Sequence, residues 1–202
     1  MLAPGGGTIE QNNAIRDIPE TISTLETRLN LGISTVPYAV LLDDYDKPFK
    51  MFHYYPFFDW FGKFLSLPGI EEHGDRFCDH VIANPENSSD KRDARDGDYV
   101  RKFRADDGSL FVADRGEEGR WFFRLHADSF NVEGNRIRGA TRSTGVLGLL
   151  CLNLPLHMTN DSAYVYLAGL IQGPNEPEPK EAAHSYYLQP LMRDLDLAYT
   201  RG

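Results

Sequence analysis

Cysteine is scarce in this 202-residue chain. Cys78 and Cys151 are the two it has, so neither a disulfide framework nor a four-cysteine zinc site can be assembled. That usage fits a reducing compartment. Positive charge is also short: 21 Lys and Arg stand against 30 Asp and Glu, a formal charge of −9. This balance works against non-specific nucleic-acid binding, which rests on neutralising phosphates. No uninterrupted apolar stretch approaches the roughly 20 residues that a membrane span needs, so a soluble protein with no membrane partner is expected. The start, Met1-Leu2-Ala3-Pro4-Gly5-Gly6-Gly7, lacks the charged and apolar regions of a secretory signal. The acceptor-like Asn87-Ser88-Ser89 and Asn160-Asp161-Ser162 are accordingly read as chance. HExxH, GxSxG, GxxxxGK[ST] and GxGxxG are all missing, and no small-molecule substrate is expected.

What is present is enough apolar sequence, 41%, for one ordinary domain with an extension. Residues 1–16 are glycine-rich and then polar, without periodicity, and read as a disordered tail. Residues 17–98 form a mostly helical N-terminal region. There Asp17 can cap, Pro19 and Glu20 suit a first turn, and Ile18, Ile22, Leu25 and Leu29 recur at helical spacing until Gly32. A second helix is predicted over 56–67, where Phe57, Phe58, Trp60, Phe61, Phe64 and Leu65 are read as packing on a core rather than as a stacking platform for bases. Residues 84–98, polar and rich in turn formers, make a linker.

Beyond it, 110–113 reads as a short strand and 115–119 as a charged turn. Longer strands follow at 120–127, 144–154 and 164–171, with a turn at Glu133-Gly134-Asn135. A helix over 180–199 carries Leu188, Leu191, Leu195 and Ala198 at helical spacing. Pro190 inside it predicts a kink or a helix start near that point. Two groups could form basic patches: Lys91, Arg92, Arg95, Arg101, Lys102 and Arg104, and then Arg136, Arg138 and Arg142. His73 and His80 lie seven apart on a possible helix with Cys78 nearby, a metal site to be weighed against ordinary surface and core roles.

Asp128 ends an apolar run, Trp121-Phe122-Phe123-Arg124-Leu125-His126-Ala127-Asp128, and two more strand-like runs and a helix-like one follow. An aspartate so placed is commonly structural. A wider set of blocks bears on it: Asp114-Arg115-Gly116-Glu117-Glu118-Gly119-Arg120, Asp128-Ser129-Phe130-Asn131, Cys151-Leu152-Asn153-Leu154-Pro155, Leu167-Ala168-Gly169-Leu170-Ile171, Gly173-Pro174-Asn175-Glu176-Pro177 and Leu188-Gln189-Pro190-Leu191. In order and spacing these resemble the transposases of CACTA (En/Spm-like) DNA transposons, especially fungal ones. Upstream, Ile18-Pro19-Glu20-Thr21, Pro37-Tyr38-Ala39-Val40 and Tyr55-Pro56-Phe57-Phe58-Asp59-Trp60 are similar to the stretch before the family's core.

The resemblance covers residues 17–202 and implies an α+β or α/β fold. In it the helical N-terminal region precedes an incomplete ribonuclease-H-like unit over 99–202, three strands of a sheet plus a C-terminal helix. It further implies a DDE-type transposase that cuts and joins DNA with Mg²⁺ or Mn²⁺, with Asp128 as catalytic residue and first metal ligand. Transposon DNA and transposase subunits are the implied partners, and the nucleus, otherwise the cytoplasm, is the implied location.

Two departures qualify the activity. Leu41-Leu42-Asp43-Asp44-Tyr45 stands where the family carries a cysteine-bearing segment, and the sequence stops at Gly202, where the family's helix gives way to the strand with the next acidic residue. The expectation is therefore a fragment or degenerate remnant, inactive alone and without a tightly bound ion, since two-metal chemistry needs several carboxylates. The alternative is a non-catalytic protein that binds DNA or transposase subunits. A sheet ending at its third strand is expected to leave an open edge and marginal stability.

Overall fold

A computed structural model describes residues 34–42, 44–85, 91–131, 143–172 and 184–201. The helix expected from Asp17, the turn at Glu133-Gly134-Asn135, and Arg136, Arg138 and Arg142 lie outside the described residues. The chain divides into two compact units after Ser34, and residues 35–202 form one of them. The 84–98 stretch falls inside that unit. The fold is α+β: two small antiparallel sheets and, among the described residues, five α-helices.

The first sheet is a hairpin of β1 (Val36–Leu42) and β2 (Pro48–Tyr54), which the reading of 17–98 as mostly helical does not contain. Its period is two: Phe52 and Tyr54 are buried while Met51 and His53 face out. The turn between the strands places Asp46 at φ 58, a left-handed conformation that a short polar side chain tolerates better than most.

Helix α1 (Phe57–Leu65) forms where expected. Phe57, Trp60 and Phe64 fall at positions i, i+3 and i+7 and are all buried, each burial worth about 1.5–3 kcal/mol before entropic costs. Their rings pack densely: Trp60 stacks on Phe64 at 4.7 Å and meets Tyr166 at 5.0 Å. Gly69 at φ 80 allows the turn into α2 (Ile70–Ala83). This second helix buries Ile70, Gly74, Phe77, Cys78 and Val81. Gly74 is required there because an added Cβ would lie 2.7 Å from the Trp121 indole.

A 3₁₀ turn (Ala94–Asp96) and a short α3 (Asp98–Lys102) follow. Val100 joins Phe77, Cys78, Val81, Val112 and Phe122 in a second hydrophobic cluster, so residues on both sides of the 98/99 position share one core. The short strand expected over 110–113 is absent. Leu110 makes a single bridge to Arg104, and the chain then turns, because Asp114 N–H donates to the Leu110 carbonyl at 2.9 Å while the Asp114 carboxylate accepts Leu110 N–H at 2.6 Å.

The second sheet is a three-stranded meander in the order β3 (Phe123–Asn131), β4 (Ser143–Cys151), β5 (Tyr166–Gln172). β3 pairs with β4 in unbroken register from Phe123↔Cys151 to Asn131↔Ser143. β5 carries an irregularity opposite Leu147 and Gly148. Between β4 and β5 lies a one-turn α4 (Leu156–Thr159). The last helix, α5 (His184–Arg201), runs continuously through Pro190. Pro190 is buried, as are Tyr187 and Leu191, and burial offsets the backbone bond a proline forgoes.

The two sheets meet at β2 and β5. Tyr55 N–H donates to the Ala168 carbonyl at 2.8 Å, and the Tyr166 hydroxyl donates to the Tyr55 carbonyl. Gly169 lets the backbones approach, since a Cβ there would sit 2.6 Å from the His53 carbonyl oxygen.

Candidate functional site

The alternation of β3 divides its side chains between two faces. Phe123 turns inward, meeting Phe57 at 5.5 Å and Phe61 at 5.9 Å, which places Leu125 and Ala127 on the same side and Arg124, His126 and Asp128 on the other. All five residues from Arg124 to Asp128 are exposed. Directly across β4, Asp128 faces Val146, and Val146 in turn faces Leu170. His126 faces Gly148 and Arg124 faces Leu150. Among the described residues, the cross-strand neighbours of Asp128 on β4 and β5 are thus apolar.

Among the described residues no group of three or more His, Cys, Asp or Glu side chains could hold a metal ion. Asp128 alone does not fit a two-ion centre, which requires several oxygen ligands around the same metals. His73, Cys78 and His80 are not brought together either. His80 Nε2 lies 3.2 Å from Asp96 Oδ1, Cys78 is buried with its thiol toward the Arg120 carbonyl, and His73 lines a separate cleft of about 210 Å³ with Arg76 and Asn153.

The first group of basic residues is largely neutralised in place. Lys91 and Lys102 both bind Asp98, at 2.7 and 3.0 Å, and Arg95 clasps Asp93. Arg101 is buried, donating to the carbonyls of Asn84 and Arg95 and to Asp96. Arg104 donates to the Gly108 carbonyl at 2.5 Å. Asp96 organises this cluster: it closes a capping box with Asp93, and N–H groups from Arg92 and then His80 hold its carboxyl down at about 2. The segment is a structural clasp joining α2 to α3.

A groove of about 320 Å³ opens beside the start of β3, lined by Phe58, Phe61, Phe111, Trp121, Phe123 and Tyr199, among others. The Arg120 guanidinium lies over the Phe111 ring at 4.7 Å. The groove therefore offers planar, apolar walls with one cation at its rim.

Asp194, on the last helix, ties α5 to α1. Its Oδ2 accepts the Tyr54 hydroxyl at 2.8 Å and Phe57 N–H at 3.0 Å, so it caps the first turn of α1, which begins after Pro56 without a side-chain cap of its own. Burial first, then the neighbouring Tyr166 hydroxyl and Asp194, push the Tyr54 phenol well above its ordinary range. It stays a neutral donor. Asp161 accepts Ala163 N–H at 2.9 Å in a local turn, and Asp196 is exposed. Among the described residues after β3, Asp194 and Asp161 thus accept hydrogen bonds within the fold. Nothing in the local pattern around Asp194 signals its role, because its partners lie 137 and 140 positions earlier.

No protein-family model, curated protein or solved structure matches this chain.

Proposed function

We propose that this chain is a fragment or degenerate remnant of a DDE-type transposase of the CACTA (En/Spm-like) kind, and that by itself it is catalytically inert. The observation that carries the reading is the order of the second half: an antiparallel β3-β4-β5 meander followed by a long helix, with Asp128 on the meander's first strand. That is the order expected for the first part of a ribonuclease-H-like unit, and four of the blocks that resemble the family, those beginning at Asp128, Cys151, Leu167 and Leu188, lie on these elements or at their ends. Mg²⁺ or Mn²⁺ would supply the phosphoryl chemistry in an intact member. Among the described residues Asp128 has Val146 and Leu170 across the sheet, and no group of three or more His, Cys, Asp or Glu side chains there could hold an ion. Transposon DNA or other transposase subunits are the partners this reading carries, and the nucleus its location.

A second reading, a non-catalytic protein that binds DNA or subunits, gains from the exposed strand β3 as a protein-binding edge and loses on the DNA side from the charge of −9.

The test is to fuse the chain to the acidic C-terminal half of a CACTA transposase and assay Mn²⁺-dependent cleavage of end-labelled DNA. The unfused chain is expected to leave DNA intact, and the fusion to cleave only with Asp128 present. A folded fusion whose cleavage is unchanged by Asp128→Asn removes Asp128 from the site and the reading with it.

A further inference from the structure

We propose that Tyr54 is a redox-active tyrosine, where an oxidising equivalent that reaches either tryptophan comes to rest as a neutral phenoxyl radical while Asp194 takes the proton. All ten tyrosines and both tryptophans of the chain lie among the described residues, so every side chain that could compete for this role is in view.

The first support is a path of rings. Trp121 meets Phe61 at 5.8 Å and Phe64 at 5.9 Å, and Trp60 stacks on Phe64 at 4.7 Å. A single phenyl ring thus separates the two indoles. Trp60 in turn meets the Tyr166 ring at 5.0 Å, and the Tyr166 hydroxyl neighbours that of Tyr54. Indole gives up an electron readily to a one-electron oxidant. A phenol that can shed its proton holds the resulting hole more deeply than indole does, so the hole moves from tryptophan towards tyrosine.

The second support is the proton. An oxidised phenol is a strong acid, and the radical settles on the tyrosine whose hydroxyl faces a base. Tyr54 OH donates to Asp194 Oδ2 at 2.8 Å. Tyr166 OH donates instead to the Tyr55 carbonyl, and a peptide carbonyl does not take up a proton at neutral pH. The Tyr55 hydroxyl accepts from Lys63 Nζ at 3.2 Å, an ammonium with no lone pair to offer. Tyr199 also meets a carboxylate, Asp106 at 3.3 Å, but it is 38% exposed whereas Tyr54 is 2% exposed. Burial is what shields a radical from scavengers.

The third support is that the donor and acceptor are held in place. Phe57 N–H donates both to Asp194 Oδ2 at 3.0 Å and to the Tyr54 hydroxyl oxygen at 3.2 Å, which fixes the pair at the head of α1. Burial keeps the Tyr54 phenol protonated beforehand, so its electron and proton leave together. The oxidant takes one electron from an indole and is reduced by it. Tyr54 refills the indole with one electron and passes its phenolic proton to Asp194. The products are an intact tryptophan, a neutral phenoxyl at Tyr54 and a neutral carboxylic acid at Asp194.

The step uses neither metal nor DNA, so its outcome is separable from that of the transposase reading. The probe is the azidyl radical, made by pulse radiolysis of azide in nitrous-oxide-saturated buffer around the purified full chain, because it oxidises indole selectively. The indolyl absorption is expected to decay as the phenoxyl absorption grows, at a rate independent of protein concentration and slower in heavy water. Tyr54→Phe abolishes that growth, while Tyr55→Phe and Tyr199→Phe leave it. Asp194→Asn keeps the shape and removes the base, and should slow the growth by about a hundredfold, as the loss of a positioned proton acceptor does. Near-ultraviolet circular dichroism checks that the aromatic cluster of each variant is packed. The proposal is overturned by a native chain without concentration-independent phenoxyl growth. It is equally overturned if packed Tyr54→Phe or Asp194→Asn keeps the native rate, or if the growth is lost in Tyr199→Phe.

Discussion

Asp194 illustrates how a single carboxylate can be committed to architecture. It accepts from Tyr54 on the hairpin and from Phe57 at the head of α1, so removing it leaves a buried phenol without this acceptor and Phe57 N–H with the longer bond to the Tyr54 hydroxyl at 3.2 Å. Asp194→Ala is expected to cost about 1–3 kcal/mol of stability, measured as a lower urea midpoint with unchanged slope. Asp196→Ala, two residues along on an exposed face, is the matching control and should leave the midpoint where it is. Asp96 makes a pH-dependent counterpart. Its carboxyl is held at about 2, below its ordinary 3.8, first by Arg92 N–H and then by His80. A depressed carboxylate contributes stability above its unfolded value and loses it as pH falls through the folded one. Asp96→Asn should therefore melt below the native chain at pH 6, with the difference closing between about pH 4 and pH 2.

At the scale of elements, α1, β4 and β5 were legible because their periodicity and burial agree: Phe57, Trp60 and Phe64 mark one helix face, and the apolar run of β4 is a strand paired on both sides. The β1–β2 hairpin was not legible. Pro37 and Pro48 interrupt its pattern, although a valine-bearing run and an aromatic run flanking Asp43-Asp44-Tyr45-Asp46 are a hairpin signal that could have been read. The strand expected over 110–113 failed because a side-chain acceptor, Asp114, offers Leu110 N–H a partner that competes with any ladder. The packing of β2 on β5 is also invisible locally, since it depends on Gly169 lying under the His53 carbonyl and the Phe52 ring. Gly169→Ala should overpack this junction and cost about 1–3 kcal/mol, read from the denaturation midpoint. An equal midpoint would mean that the two sheets do not meet there.

For the whole molecule, charge and topology pull in the same direction. An excess of nine negative charges, with Arg95, Arg101 and Lys91 already engaged by Asp93, Asp96 and Asp98, works against neutralising phosphates. Fluorescence anisotropy with a short duplex should give a dissociation constant no tighter than ~10⁻⁴ M at physiological salt. Nanomolar binding would instead favour the DNA-binding reading. The candidate site was legible only in part: Asp128 could be placed on a strand from the sequence, but that its cross-strand neighbours are Val146 and then Leu170 follows from register, which no local pattern specifies. The most direct measurement is Mn²⁺ titration of the purified chain by electron paramagnetic resonance, with Asp128→Asn alongside. A lone carboxylate is expected to bind no tighter than about the millimolar range, with no second ion. Micromolar binding of two ions, abolished by Asp128→Asn, would contradict the proposal that this chain is catalytically inert by itself.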